Sequence, residues 1–434
     1  MTRRFDDDTL QRLARPPEAD ALEALARGDL DAVRRHLDAM AAGSAGLDAL
    51  SGHTLARKIG KLRVDFGEAR TRQLLQQIGA QLMRSWAEQW QHGDARGAIA
   101  DLVAIFKHQS GATLAPLQED DDTVVLELAP CGSGGRLERQ QLPERHPAAY
   151  GGWSDGVSSY CQGCKANQAA LNLTLGGPVW TSHKGPDGRC MLRFAKLGQR
   201  GQTLFDATER VALTRTKVQQ ARERLDAGDT DIGALIDGQR KDWKPWHDFG
   251  VVWLARFYAV MLELGGPDYL DEVLAQTYEP AFVAGFPRYA AMDDEALVRE
   301  IALTWNYHCA DFRLSEEEDR FVFTLDPCGS GGRLFRAAMW RDLFRYGQPL
   351  SPLVAGPHPI VFMRRDAPSY CSHCAASNRA QLSRADRAVP LFFVIDGTAQ
   401  QQPGMPCRCY VYKKGTDRAR IEPRLYAQVG LAPA

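Results

Sequence analysis

The chain lacks most of the features that would assign it quickly. Its 434 residues carry 53 Lys and Arg against 54 Asp and Glu, a formal net charge of −1. Without a basic excess, a nucleic-acid partner is argued against, because phosphate backbones demand one. No apolar stretch follows Met1-Thr-Arg-Arg-Phe-Asp-Asp-Asp, which argues against a secretory leader and for the cytoplasm. The most apolar run, Phe249–Leu264, is short for a membrane span and includes Arg256 and Glu263. It reads as a buried core helix. Nucleotide loops are missing as well. Gly132-Ser133-Gly134-Gly135 lacks the third glycine of a dinucleotide fingerprint, and no Gly-Lys-Ser/Thr follows it. A chain of this length, enough for two or three domains, needs no disulfide staples.

What is present is cysteine, and it is present twice. Pro-Cys-Gly-Ser-Gly-Gly-Arg-Leu occurs at Pro130–Leu137 and again at Pro327–Leu334. Each copy is followed by Tyr-Cys-x-x-Cys: Tyr160, Cys161 and Cys164, then Tyr370, Cys371 and Cys374. Each pair is followed by one cysteine six residues before a lysine, Cys190 with Lys196 and Cys407 with Lys413. Eight of the ten cysteines therefore form two equivalent sets of four. In a reducing compartment such sets point to metal binding or catalysis rather than disulfides.

The likeness extends upstream. Leu114–Leu137 lies over Asp311–Leu334 without a gap, as an acidic turn, a strand and the Gly-rich loop. Val124, Leu126 and Leu128 share one strand face, as do Phe321, Phe323 and Leu325. Arg72–Trp86 corresponds to Asp271–Phe286 as helix, and Ala98–His108 to Ala296–His308 with a histidine near each end. Gly28-Asp29 echoes Gly228-Asp229, a period of about 200 residues and far beyond solenoid repeats. The expected fold class is α+β, a tandem duplication of one domain with N-terminal helices and a C-terminal Cys-bearing α+β part. Expected segments are 1–200, a charged helical connector 201–235, and 236–434. Ala21–Leu37 and Leu213–Leu225 read as long solvated helices.

The metal set is Cys131, Cys161, Cys164 and Cys190, then Cys328, Cys371, Cys374 and Cys407. A C-x-x-C supplies two corners of a tetrahedron, and distant loops supply the others. Ligands this dispersed favour zinc over an iron–sulfur cluster. Buried reduced cysteines are the competing reading. Cys409 competes with Cys407 as a ligand. The glycine loop reads either as a tight turn or as a nest of N–H groups for an anion. Arg136 and Arg333 are suited to a bidentate carboxylate or phosphate contact.

The halves differ, and the differences select candidates. Only the second has Trp246-His247-Asp248, which aligns near Leu47-Asp48-Ala49, and only the second has His373 where the first has Gly163. Cys309, beside His308, and Cys409 are also unmatched. The catalytic candidates are thus His308, His373, His247, Asp248 and Cys309, with Trp243, Trp246, Trp305 and Tyr307 as pocket aromatics. Arg333, Ser330 and Gly331 are the substrate-binding candidates. A bland reading competes for each histidine, as a helix-end or core residue bonded to backbone.

The second half resembles a bacterial Cys-rich family with PCGSGG and YCxHC motifs. The matching residues are Trp246-His247-Asp248, Pro327–Gly332, Tyr370–Cys374 and Pro406–Lys413. That resemblance implies architecture and carries no activity. In architecture alone, the chain looks like the L-2-amino-thiazoline-4-carboxylate hydrolase-like proteins. Pro-Cys-Gly-Ser-Gly is similar to the core of the SEC-C zinc motif, which implies a metal ligand at Cys131 and Cys328. That family's preceding Cys-Pro and following Cys-Cys or Cys-His are absent here. Together these imply a cytoplasmic zinc protein, acting as a metal- or thiol-dependent hydrolase on a small amino-acid-like substrate. The alternatives are an iron–sulfur or dithiol redox protein and a zinc-stabilised scaffold for a protein partner. No membrane is expected.

Overall fold

Aspartates set the starts of the helices. Asp6, Asp29, Asp94, Asp206 and Asp293 each accept a hydrogen bond from the backbone N–H three residues on. Each satisfies one of the donors a helix leaves open at its start. One of these caps, Asp29, and a threonine cap correct the sequence expectation. Ala21–Leu37 is not one helix, because Gly28 turns the chain at φ 72° and Asp29 caps a new helix, Leu30–Leu82. Leu213–Leu225 is also broken: one helix ends at Ala212, and Thr216 with Gln219 forms a capping box for Lys217–Asp226. The two long helices, Leu30–Leu82 and Gln239–Thr277, each kink at a positive-φ glycine, Gly67 and Gly266.

The structure is a computed structural model and describes residues 3–185, 188–335, 352–365, 367–383, 391–395 and 407–432. The fold is α+β, with helices dominant and strands gathered into two antiparallel sheets of four. The first sheet holds β1 (Gln118–Glu119), β2 (Thr123–Leu128), β3 (Trp180–Lys184) and β4 (Cys190–Ala195), in the order β1-β2-β4-β3. The second holds β5 (Phe312–Glu316), β6 (Arg320–Leu325), β7 (Leu391–Ile395) and β8 (Cys407–Tyr412), in the order β5-β6-β8-β7. Registers agree residue for residue: Leu128 faces Cys190 and Thr123 faces Ala195, as Leu325 faces Cys407 and Arg320 faces Tyr412. The expected strand faces are buried, Val124, Leu126 and Leu128 in one sheet and Phe321, Phe323 and Leu325 in the other. From Val251 to Met261 every residue but Arg256 is buried, the pattern of a core helix. This run lies in Gly233–Ala291, apolar enough by composition for a span but with half of its most apolar window buried.

Two compact units divide the described residues, on boundaries unlike the expected segments. The N-terminal unit is Pro17–Trp253; the C-terminal unit combines Met1–Pro16 with Leu254–Asp342 and Tyr346–Ala434. The early part of each half is therefore assigned across the division. Phe5-Asp6 opens the helix Asp7–Ala14 in the C-terminal unit, and Phe205-Asp206 opens Ala207–Ala212 in the N-terminal unit. The segment 201–235, expected as a connector, is part of the N-terminal unit.

Each unit fixes one of these helix starts, Phe205-Asp206 or Phe5-Asp6, with a buried ion pair. Lys196 Nζ lies 2.6 Å from Glu119 Oε1, and the same carboxylate accepts the N–H groups of Leu204 and Phe205. Lys413 Nζ lies 2.5 Å from Glu316 Oε1, which with Oε2 accepts the N–H groups of Arg4 and Phe5. All four charged side chains are at most 3% exposed. Burial opposes ionisation of the two carboxylates, yet lysine and backbone donors hold both below the usual glutamate range. Leu10 and Leu13 then enter a core with Leu297, Ile301, Phe321 and Phe323.

Candidate metal centres

Three chain segments deliver each cysteine set. In the N-terminal unit β2 ends at Leu128, and the chain passes through Pro130 to Cys131. Cys190 opens β4 directly opposite Leu128. Cys161 and Cys164 occupy the first turns of the helix Ser159–Leu175, three residues apart and so on one face. The C-terminal unit repeats this arrangement. Cys328 follows β6, Cys407 opens β8 opposite Leu325, and Cys371 and Cys374 sit at the start of Ser372–Leu382. Pro406, part of the closing motif, lies outside the described residues.

Close approach explains the loop glycines. A Cβ on Gly134 would lie 2.2 Å from Cys161 Sγ, and one on Gly331 would lie 3.0 Å from Cys371 Sγ. A Cβ on Gly132 would meet the carbonyl of Gln109 at 2.7 Å, and one on Gly329 that of His308 at 1.5 Å. None of the loop glycines has a positive φ, so the loop is a tight turn and not the alternating nest of the anion-binding reading. It leads into the short helices Gly134–Arg139 and Gly331–Phe335.

The thiols of each set feel one another. Burial, then the charge of Cys131, pushes Cys161 and Cys190 up to about 12. Burial and the charges of Cys161, Cys190 and Cys131 raise Cys164 further. Cys374 and Cys407 are raised by burial and by Cys328 and Cys371. All ten cysteines are free thiols. Among the described residues, no three His, Cys, Asp or Glu side chains close on a point that would hold an ion. The donor set nevertheless fits zinc in kind and number, four sulfurs per unit from one loop, one strand start and one helical turn. Cys407 and not Cys409 stands at the strand end. Cys409 faces Phe323 in the register and is buried in the core with Trp305.

The other candidates divide. Ser330 Oγ is 3.5 Å from Cys328 Sγ, and the Tyr370 hydroxyl also reaches Ser330. Arg333 is buried, with Nη1 3.4 Å from the carbonyl of Gly329 in its own loop. His308 caps the C-terminus of Asp294–Tyr307, as His108 caps Ala95–Lys107. Cys309 follows at φ 53° and is buried. His373 is ringed by Tyr370, Tyr278 and Tyr258, at 4.7, 5.5 and 6.3 Å between ring centroids. At the matching Gly163 a Cβ would lie 2.8 Å from the Trp253 ring. One aromatic therefore fills the space beside each C-x-x-C, which gives His373 a packing role. His247 and Asp248 are buried 3.0 Å apart, with Lys244 2.8 Å from Asp248. They belong to the N-terminal unit, whereas His308, Cys309 and His373 belong to the C-terminal unit. Neither unit holds all five. Trp243 and Trp246 stack on each other at 4.5 Å, and Trp243 lies edge-on to His108.

Sequence reasoning missed a polar cluster in the N-terminal unit. Asp48 is buried, accepts the N–H of Ser110 at 2.7 Å and lies 3.7 Å from Arg136 Nη2. Arg57 Nε donates to the Tyr150 hydroxyl at 2.9 Å, and His53 Nδ1 is 3.2 Å from that hydroxyl. Burial lifts Asp48 to about 7 against the pull of Arg136. Burial and the guanidinium groups of Arg136 and Arg57 hold His53 down to about 4. Burial, with Arg57, lowers Lys58 to about 7. Such clustering of perturbed groups marks functional sites more often than chance. The available signal was His53, Arg57 and Lys58 within two helical turns, beside an aspartate on an otherwise apolar face. Compared with protein-family models, curated proteins and solved structures, the chain matches none.

Proposed function

We propose that the chain is a cytoplasmic zinc-thiolate protein with one four-cysteine site per unit, built by tandem duplication. Cys131, Cys161, Cys164 and Cys190 would hold one ion, and Cys328, Cys371, Cys374 and Cys407 the second. The observation that carries this reading is the register. In both sheets the last residue of the strand leading to the Gly-rich loop faces the fourth cysteine, Leu128 with Cys190 and Leu325 with Cys407. A bound dication favours four adjacent thiolates that otherwise repel one another.

The ions would be structural. Catalytic zinc keeps an open coordination position, and four thiolates leave none. Each site would join a sheet end to the first turn of the C-x-x-C helix and contribute folding energy there. The helices would then present surfaces to a small molecule or protein partner. Hydrolysis is the weaker reading, because four thiolates leave no coordination position open for a water or a substrate. Metal analysis of the full chain, purified without chelator, tests the proposal. About two zinc ions per chain are expected. Less than about half an equivalent of any metal would sink it, and a brown protein with visible absorption would replace zinc by iron–sulfur clusters.

A further inference from the structure

A buried guanidinium normally finds partners for its N–H groups, because leaving them unmade costs more than the bond itself gains. Arg136 does not. Its side chain is 13% exposed, and its Nε and Nη2 are buried with no hydrogen-bond partner among the described residues. Those two nitrogens form the side-on edge of the guanidinium, which carries two parallel N–H bonds and matches a carboxylate or phosphate. Asp48, at 3.7 Å, is beyond hydrogen-bond reach and already accepts from Ser110.

The surroundings supply donors. Arg57 gives its Nε–H to the Tyr150 hydroxyl. That hydroxyl is then free to give its own hydrogen to His53 Nδ1, which leaves Nε2 of a neutral His53 as a donor. The cluster thus sets two guanidinium groups beside one carboxylate. His53 and Arg57 are only partly buried and give the cluster its edge toward solvent.

We propose that Arg136, Arg57 and His53 form a binding site for a small oxyanion, with the Nε/Nη2 edge of Arg136 as its bidentate anchor. The ligand class is a carboxylate or phosphate group on a small molecule. The site lies wholly within the N-terminal unit and does not depend on the thiols holding zinc. Asp48, neutral in part near pH 7, limits the competition for that edge.

Calorimetric titration of the full chain with inorganic phosphate, and separately with sodium acetate, tests this at an ionic strength matched with sodium chloride. Saturable binding of one is expected, and which one distinguishes phosphate from carboxylate. Arg136→Lys, which keeps the charge and removes the fork, should weaken binding about tenfold or more. Arg57→Gln, at the partly exposed edge, should weaken it several-fold and serves if Arg136→Lys does not fold. No saturable binding by the wild-type chain overturns the proposal. So does binding undiminished in the folded variants, which would leave Arg136 as a partner of Asp48 alone.

Discussion

The two units solve the same structural problem with different side chains. Their sheets share strand order and register, their loops bring the same glycines against the same cysteines, and each locks one helix start with a Lys–Glu pair. The two halves of the sequence part company on the long helices. The first carries His53, Arg57 and Lys58, and the positions 200 residues on are Trp253, Phe257 and Tyr258. Charge stands where the second half places rings. The shared features are therefore the scaffold, and the differences mark where chemistry has room. The polar cluster lies in the N-terminal unit, whereas the sequence candidates His308, Cys309 and His373 lie in the C-terminal unit.

The largest effect should come from the cysteines. Cys164→Ser and Cys374→Ser should each remove one of two zinc ions and destabilise the affected unit by more than about 5 kcal/mol. Metal content and denaturant unfolding check this. A variant that keeps both ions breaks the equivalence of the sets.

Next come the buried pairs. Glu119→Gln and Glu316→Gln each leave a buried lysine without its carboxylate and should cost about 3–5 kcal/mol, equally in the two units. The sign with pH follows from the lowered glutamate pKa values. Their stabilisation is complete above the unfolded-state value of 4.5 and is lost as pH falls below it. Acid unfolding curves of the two variants should be flatter there than the wild type. Unequal costs would mean that the pairs serve different ends.

The loop glycines should separate the units more finely. Gly134→Ala drives a methyl to within 2.2 Å of Cys161 Sγ, whereas Gly331→Ala leaves 3.0 Å to Cys371 Sγ. Overpacking costs roughly 1–3 kcal/mol, and the first variant should be the worse. The gap should narrow in metal-stripped protein, where the sulfur is free to turn away. Thermal melts with and without chelator read this.

The smallest effect lies in the polar cluster. Asp48, raised to about 7, makes stability fall as pH rises from its unfolded value of 3.8 toward 7. His53, lowered to about 4, makes stability rise between about 4 and 6.5. The two slopes oppose. Asp48→Asn should leave a rising slope and His53→Gln a falling one, neither steeper than about 1.4 kcal/mol per pH unit. Slopes unchanged in both variants would remove the cluster from the comparison.

The scaffold was legible because it repeats local signals. Alternation placed Val124, Leu126 and Leu128 on one face, and a histidine after a helical run marked both helix ends at His108 and His308. Longer-range pairings left no such mark. Glu119 sits beside Asp120, Asp121 and Asp122, and nothing in that acidic turn shows which carboxylate is buried. Lys196 and Lys413 were visible only by their spacing from cysteine. Ala21–Leu37 read as continuous because Gly28 acts through one dihedral angle that composition does not reveal. Asp48, His53 and Arg136 meet only after the loop folds back onto the helix.

The opening segment in the C-terminal unit also has a history on the ribosome. Phe5 and the carboxylate that holds it, Glu316, are 311 residues apart. At roughly 5–20 residues per second, the segment waits about 15–60 s for its partner to be made. Its counterpart at Phe205 follows Glu119 and finds that carboxylate already synthesised. One unit of this protein can therefore close as it emerges, and the other stays open at its first helix until most of the chain is translated.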